Sequence, residues 1–195
     1  MARKFADIAF TPAVKAIQTE RGSRETYERF VAKGPDNNSV DEKVAAFIPE
    51  RDSFYMGTVG ETGWPYIQFR GGPKGFLKIL DNKTLGFADF QGNVQYLSVG
   101  NLSQDDRVFL FLMDYAHRRR LKIWGRATIV EDDPELLAQL SDPDYPALVE
   151  RAIVIHIEAL DWNCPQHIPI RYSETEVAAM VEPLQARIAE LEAQQ

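Results

Sequence analysis

The chain has 195 residues, of which 45% are hydrophobic and 26% charged, and its formal net charge is -7. Such a chain can build one sizeable core but is too short for two independent large domains. The acidic balance argues against nucleic acid as a partner, because binding phosphates requires a basic surface. A single cysteine, Cys164, rules out an internal disulfide, and no run reaches about 18 apolar residues, so we expect a cytoplasmic protein without signal peptide or membrane span.

Residues 1–50 are predicted to be mostly helical. Thr11 is a typical N-cap residue, and Pro12 follows it at the first helical position. Ser23 is the candidate cap of the next helix. The helices expected in this segment cover residues 13–20, 24–33 and 40–47.

Residues 51–160 show strand patterns separated by short turns, which predict a closed antiparallel barrel of about six strands. Strict alternation places Ile153, Ile155 and Ile157 on one face of the last strand. The run 108–113 is nearly all apolar, as in a strand buried on both faces, and Gly125 indicates a bulge or a close approach. The predicted strands are 53–59, 64–70, 76–80, 84–89, 108–113, 120–130 and 152–158, with short helices at 93–99 and 134–140.

Residues 174–195 are predicted to form a C-terminal helix with an apolar stripe. The stripe follows steps of four and three residues, the spacing of a and d positions in a heptad, and Pro183 interrupts it. Two interpretations stay open: the helix packs on its own barrel, or it forms a dimer contact. The residues of the stripe are Val177, Val181, Leu184, Ile188 and Leu191.

The usual signatures of nucleotide binding and nucleophilic catalysis are missing from the sequence. It contains no GxGxxG after a strand, no GxxxxGK[ST] and no GxSxG. The three histidines lack metal-ligand spacing, and the Cys164–His167 pair has no second pair to complete a tetrahedral site. We therefore expect no metal and assign no catalytic side chain.

Two glycine- and amide-rich clusters are candidate binding sites. In Arg70-Gly71-Gly72-Pro73-Lys74-Gly75, backbone N–H groups and two cations are suited to an anion, although residue content alone favours an ordinary turn. In the segment 87–95, a strand end runs into polar amides at a possible helix N-terminus, which suits a phosphate or a polar ring edge. An ordinary strand-to-helix loop is the alternative there.

Two later clusters are rich in directional side chains. The basic turn His117-Arg118-Arg119-Arg120 is either a solvated face or an anion contact. The segment 161–171 carries Trp162, Gln166, His167 and Arg171 just after the last predicted strand. A loop of this composition binds a ligand more often than it packs, although Trp162 alone could cap the barrel.

Taken in this order, the clusters resemble the pyridoxamine 5′-phosphate oxidase superfamily of FMN split barrels, and more narrowly its flavin-nucleotide-binding relatives. The resemblance covers roughly residues 5 to 175. The fold it implies is mainly β with flanking helices (α+β), a six-stranded antiparallel split barrel with N-terminal helices and a C-terminal helix. The resemblance depends on these sequence segments: Gly-Ser-Arg near the start, GWPYIQFRGGPKGF, DFQGNVQYLSVGNL, MDY, RRRLKIWGR and WNCPQHI.

The resemblance to the oxidase implies a set of FMN-binding positions and one departure. Val94 and Gln95 stand where the oxidase has the basic pair that binds the FMN phosphate, which leaves Arg70 and Lys74 as the nearest candidate cations. The oxidase's substrate-binding R-L-H segment is also missing before Arg171, so oxidation of pyridoxine phosphate is not implied. The positions expected to bind FMN are Arg70, Gly71, Gly72, Lys74, Lys78, Ala88, Asp89, Asn93, Gln95, Arg120, Trp162, Gln166, His167 and Arg171.

The function that the resemblance implies is an FMN-dependent oxidoreductase acting on an unidentified small molecule. Arg120 and Arg171 are expected to favour the anionic reduced flavin. A non-catalytic module for FMN, haem or a deazaflavin is the alternative, and a purely structural dimeric domain is a third.

The implied assembly is a homodimer with FMN between protomers. In each site, the segments 70–74 and 89–95 are expected to come from a different source than the loop 162–171, with at least one of them crossing the interface. The chain is expected to form a single domain, with a helical segment 1–50, a barrel 51–160, a site loop 161–173 and a C-terminal helix 174–195.

Overall fold

The computed structural model describes residues 4–34, 36–162 and 165–194. The chain divides into two compact units, one comprising 1–113 with 120–163 and the other 114–119 with 164–195. The first unit begins with helices, and a 3-10 turn, Ile48–Glu50, follows them. These helices are α1 Lys4–Ala9, α2 Pro12–Glu20, α3 Arg24–Lys33 and α4 Glu42–Phe47.

Within the described residues, seven strands form one sheet in the order β2-β1-β5-β6-β7-β4-β3. The expected six-stranded barrel is therefore wrong in its strand count, although seven strand segments were predicted along the chain. The segment 76–80 contributes only the two-residue β3, which pairs with β4 at the edge of the sheet. The mainly antiparallel class is confirmed. The elements are β1 Ser53–Val59, β2 Pro65–Gly71, β3 Lys78–Ile79, β4 Thr84–Phe90, α5 Leu97–Leu102, β5 Arg107–Asp114, β6 Arg119–Val130, α6 Pro134–Leu140, β7 Val149–Trp162 and α7 Glu174–Glu192.

The main core lies on one face of this sheet, and period-2 alternation selects the residues that reach it. Ile153, Ile155 and Ile157 are buried as predicted, whereas His156 and Glu158 are exposed on the opposite face. Phe54 and Phe87 pack edge to face in the same core, with ring centroids 5.3 Å apart. Burial of such side chains is the main favourable contribution to folding.

Strand β5 differs from its prediction because only one of its faces is buried. Leu110 and Leu112 are fully buried, while Phe109 and Phe111 alternate with them and are only partly covered. Phe109 packs against Trp124 of β6 with ring centroids 4.9 Å apart. The continuous apolar run therefore reflects a core face and a second apolar face on the outer side of the sheet.

Local signals for helix ends and bulges were partly correct. Thr11 caps α2 by accepting a bond from Val14 N at 3.3 Å, and Gly125 lies at a register shift between β6 and β7. Ser23 does not cap α3; its hydroxyl donates to Gln18 O instead. The helix expected at 93–99 begins only at Leu97, because Tyr96 adopts a left-handed φ of 53°.

Strand β7 runs four residues beyond its predicted end. Its pairing with β6 continues through Lys122↔Asp161 to Leu121↔Trp162, and the Lys122 ammonium forms an ion pair with the Asp161 carboxylate. Asp161 and Trp162 therefore belong to the strand and not to the predicted loop. Cross-strand charge pairing allows a polar residue to remain in a ladder.

The second unit contains α7, which begins at a capping box. Ser173 Oγ accepts from Glu176 N at 3.2 Å, and the Glu176 carboxylate accepts from Ser173 N at 2.7 Å. No described residue of α7 is buried. Across the described ranges, no helix is long and apolar enough to span a membrane.

Candidate functional site

An open polar cleft lies in the first unit. Side chains from one face of β2, the end of β4, the segment 91–99 and the start of β7 surround it. The lining residues are Tyr66, Gln68, Arg70, Asp89, Phe90, Gly92, Asn93, Val94, Gln95, Tyr96, Leu97, Ser98, Val99 and Glu150.

Two arginines flank a buried carboxylate at this cleft. Arg70 Nη1 lies 2.5 Å from Asp89 Oδ1, and Arg151 Nη1 lies 3.7 Å from Asp89 Oδ2. All three side chains are largely buried: the exposed fraction is 12% for Arg70, 10% for Arg151 and 6% for Asp89. Burial raises the pKa of Asp89 above its ordinary value, even though both guanidinium groups act in the opposite direction.

The arginines retain hydrogen-bonding capacity. Arg70 Nε and Arg151 Nη1 are buried and have no hydrogen-bond partner within the described part of the chain. A buried donor without an acceptor costs free energy unless a ligand or water supplies one. Arg70 itself lines the cleft, and a guanidinium group suits an anionic, acceptor-rich ligand such as a phosphate ester.

The segment 91–99 is held in a strained conformation against β7. Val94 and Tyr96 both have a φ of 53°, which is an outlier for a β-branched residue. Tyr96 OH donates to Glu150 Oε1 at 3.1 Å, and Gln91 Nε2 donates to the same atom at 3.3 Å. Strain of this kind clusters at ligand-binding positions.

The structure brings together part of the predicted site. Arg70 and Asp89 meet directly, and Asn93 and Gln95 line the same cleft. The charged neighbours Glu150 and Arg151 were missed in the sequence, although they immediately precede the alternating strand at 152–158. The lining residues Tyr66, Gln68 and Ser98 were also missed, and no local signal separates them from ordinary strand and helix residues.

The glycine-rich loop has a structural role in this chain. Gly72 N and Gly75 N donate to Asp52 O and Arg51 O, so these donors are used within the protein. A Cβ on Gly72 would lie 2.8 Å from the Phe76 ring. Lys74 does not line the cleft and pairs with Glu50 at 2.5 Å on the surface. A Cβ on Gly71 would likewise approach the Phe69 ring to 3.0 Å.

Three further predicted residues of the first unit lie outside the cleft lining. Lys78 lies in the edge strand β3 opposite Gly86, and Ala88 is buried in a cluster with Leu140 and Ala152. Trp162 packs edge to face on Phe47, with centroids 4.9 Å apart, and the Lys43 ammonium lies 4.1 Å from its ring.

Arg120 lies on the outer side of β6, where its guanidinium covers the Phe111 ring at 4.9 Å. Its Nε is buried and has no hydrogen-bond partner in the ranges that the structure describes. Arg120 is thus a further, half-buried cation whose Nε has no partner among the described residues, in an apolar setting.

The remaining predicted residues belong to the second unit. Gln166 and His167 are exposed in a turn where Ile168 N donates to Pro165 O, and His167 has a φ of 64°. The Arg171 guanidinium lies 5.1 Å from the Tyr115 ring. The basic turn after β5 is organised by Asp114, which accepts from His117 N and Arg119 Nε. Cys164, part of the weak Cys–His pair, lies outside the described residues.

Comparisons with known proteins identify relatives at the level of family and fold. The sequence model described as pyridoxamine 5′-phosphate oxidase matches residues 40–163. No curated protein matches the chain.

Several solved structures share the fold at low sequence identity. Group A Streptococcus HupZ is 14% identical, with a TM-score of 0.53 over 68% of this chain and 99% of that one. An FMN-binding protein from Syntrophomonas wolfei is 11% identical, with a TM-score of 0.51 over 75% and 97%. These likenesses confirm the expected fold class.

Proposed function

The chain belongs to the pyridoxamine 5′-phosphate oxidase family, and from this premise we propose that it binds FMN at the cleft beside Arg70 and Asp89 as an FMN-dependent oxidoreductase. The observation that carries the proposal is the Arg70 guanidinium, which lines the polar cleft together with the amides of Asn93 and Gln95. Guanidinium groups are well suited to phosphate oxygens. When bound, the flavin supplies the hydride chemistry, so no side-chain base is required.

The residues present fit the tail of FMN. Arg70 offers the cation, while Asn93 and Gln95 offer amides at the same cleft. Asp89 and Glu150 offset the charges of Arg70 and Arg151, so this cleft carries less positive charge than two arginines alone would supply. A phosphate dianion near Asp89 would favour the protonated carboxyl, which its burial already favours.

The lining of the cleft fits a flavin but does not exclude haem. Haem iron takes His, Cys, Met or Tyr as an axial ligand, and Tyr66 and Tyr96 line the cleft, so haem stays an outcome of the ligand analysis. A deazaflavin has the same type of tricyclic ring as FMN, so mass spectrometry of the released ligand must distinguish the two.

The outer face of the sheet is the proposed homodimer interface. Ile67 and Phe69 of β2 are 68% and 59% exposed, and the half-covered Phe109 and Phe111 of β5 lie on the same face. Arg120 lies on this apolar surface, and its Nε has no hydrogen-bond partner in the described part of the chain. A second copy of the chain would remove this surface from water, and Arg120 would then face the flavin ring or the partner.

Ligand identity is the first test of the proposal. Protein purified without added cofactor is expected to be yellow, and mass spectrometry of the released ligand is expected to give FMN. A colourless protein that takes up no added FMN would contradict the proposal. Reduction of the bound flavin by NAD(P)H or a candidate substrate, faster than that of free FMN, separates an enzyme from a non-catalytic binding protein.

The role of Arg70 has a matched test. We expect Arg70→Ala to weaken FMN by about 1.5–3 kcal/mol, the range for a hydrogen bond to a charged group, and to weaken riboflavin much less because it lacks the phosphate. Lys74→Ala is the control, since Lys74 is paired with Glu50 outside the cleft, and isothermal titration measures all three proteins. Equal losses for both ligands in Arg70→Ala would place Arg70 at the ring or in the fold.

A further inference from the structure

Helix α7 exposes a continuous apolar stripe along its 19 residues. Val177, Val181, Leu184, Ile188 and Leu191 are 38–64% exposed. They recur at steps of four and three, which is the 3.5-residue period of a coiled-coil seam. A helix about 28 Å long is marginally stable by itself in water, so a partner with the same period would stabilise it by packing.

The residue types on the seam select the number of strands and their direction. With Val177, Leu184 and Leu191 at d, the a positions are Val181 and Ile188. β-Branched residues at a combined with leucine at d favour parallel two-stranded coiled coils. The stripe therefore fits a second copy of itself.

The flanking charges agree with a parallel arrangement. Arg187 occupies a g position and Glu192 the following e position, and these two positions face each other across a parallel pair. In an antiparallel pair with residues 177 and 191 opposite each other, g faces g, so Arg187 would lie opposite Met180 and lose the oppositely charged partner. Within one helix, Arg187 already pairs with Glu190 at 2.7 Å and remains largely exposed.

The opposite side of α7 carries no apolar seam. Ala179 and Ala186 occupy f positions, and Pro183 occupies a c position away from the seam. The helix continues through Pro183, so the missing N–H of the proline does not interrupt the stripe.

We propose that α7 pairs with α7 of a second copy in a parallel, in-register, two-stranded coiled coil. The pairing rests on the helix alone and is separate from the flavin proposal. It assigns the C-terminal helix to self-association, in addition to the proposed interface on the sheet.

Disulfide trapping tests the register and the direction. In full-length protein carrying Cys164→Ser, Leu191→Cys and Val177→Cys each place a thiol on the seam, near opposite ends of the helix. In a parallel pair each variant cross-links to itself on mild oxidation, on the order of tenfold faster than a thiol held off the seam, because paired helices hold their thiols at a high effective concentration. Ala186→Cys, on the outer side of the same helix, is the control.

Three outcomes would overturn the proposal. Cross-linking of Leu191→Cys no faster than that of Ala186→Cys would mean that the stripe does not face its copy. Disulfides that form only between mixed Leu191→Cys and Val177→Cys chains would show an antiparallel pair. Efficient self-linking at Ala186 would place the seam on the other face.

A charge exchange and a cofactor assay complete the experiment. Arg187→Glu is expected to slow cross-linking at Leu191→Cys, and adding Glu192→Arg is expected to restore the rate. Failure of the double exchange to restore the rate would contradict the parallel contact.

FMN content is measured on the same samples. A colourless protein that still cross-links at Leu191 separates failure of the flavin proposal from failure of this one.

Discussion

Gly125 shows how a single residue controls the junction between two strands. A Cβ at this position would lie 2.7 Å from both His156 O and Ile155 Cγ2, closer than real Cβ atoms approach backbone. We expect Gly125→Ala to lower the free energy of unfolding by about 1–3 kcal/mol, the usual cost of overpacking. Urea denaturation of the parent protein and the variant measures this change in the free energy of unfolding.

The control for this prediction is Gly100 in α5, where an added Cβ meets no heavy atom outside its own helix within 4 Å. Gly100→Ala is expected to be neutral or to gain about 0.5–1 kcal/mol through helix propensity. If both variants lose the same stability, the close approach at Gly125 is not the cause.

The pKa of Asp105 offers a residue-scale prediction on pH. Side-chain and backbone hydrogen bonds from Arg107 lower this pKa from 3.8 to about 2. Since the folded value is the lower one, the pair contributes stability above pH 3.8, and this contribution is lost as the pH falls towards 2. Arg107→Gln is expected to raise the pKa towards 3.8, as measured by NMR titration of the carboxyl carbon.

Arg126→Gln is the comparison variant for Asp105. Arg126 is the weakest contributor to the shift and donates instead to Asp106 at 2.6 Å. If Arg126→Gln changed the pKa of Asp105 as much as Arg107→Gln does, the shift would come from the surrounding positive charges in general. The hydrogen bonds from Arg107 would then not be its cause.

At the scale of elements, the capping box of α7 decides where the C-terminal helix begins. Ser173 satisfies Glu176 N, and the bond from Ser173 N holds the pKa of Glu176 below its usual value. Ser173→Ala is expected to destabilise the first turn by about 0.5–2 kcal/mol, seen as faster hydrogen exchange of residues 174–177. Ser173→Asp keeps a capping oxygen and should exchange like the parent protein; equally fast exchange in both variants would argue against the cap.

At the scale of the whole molecule, ligand and assembly are expected to be linked. If FMN binds at a site completed by the homodimer, it stabilises the dimer by mass action. Sedimentation velocity at decreasing protein concentration should show dimer persisting to greater dilution when FMN is present. A monomer that keeps FMN at unchanged affinity on dilution would show that one chain completes the site.

The polar cleft was predictable in part because its residues cluster along the chain. Arg70 and the segment 89–95 were singled out from composition, and both contribute to the cleft. Lys74 and the loop glycines carry the same local signal but serve the fold, because the carbonyls of Arg51 and Asp52 take up the loop N–H groups. Local composition shows that a hydrogen-bond donor is present. It does not show which acceptor the donor pairs with in the folded protein.

Periodicity and capping chemistry by themselves determined which segments become strands and helices. The alternation at Ile153–Ile157 and the Thr11-Pro12 start are local properties, set by backbone geometry within a few residues. Pairing between distant strands decided the rest: β4 beside β7 brings Asp89 opposite Arg151, and the same carboxylate reaches Arg70 on β2. Such partners depend on the register of residues far apart in sequence, because charges interact through distance in space and not along the chain.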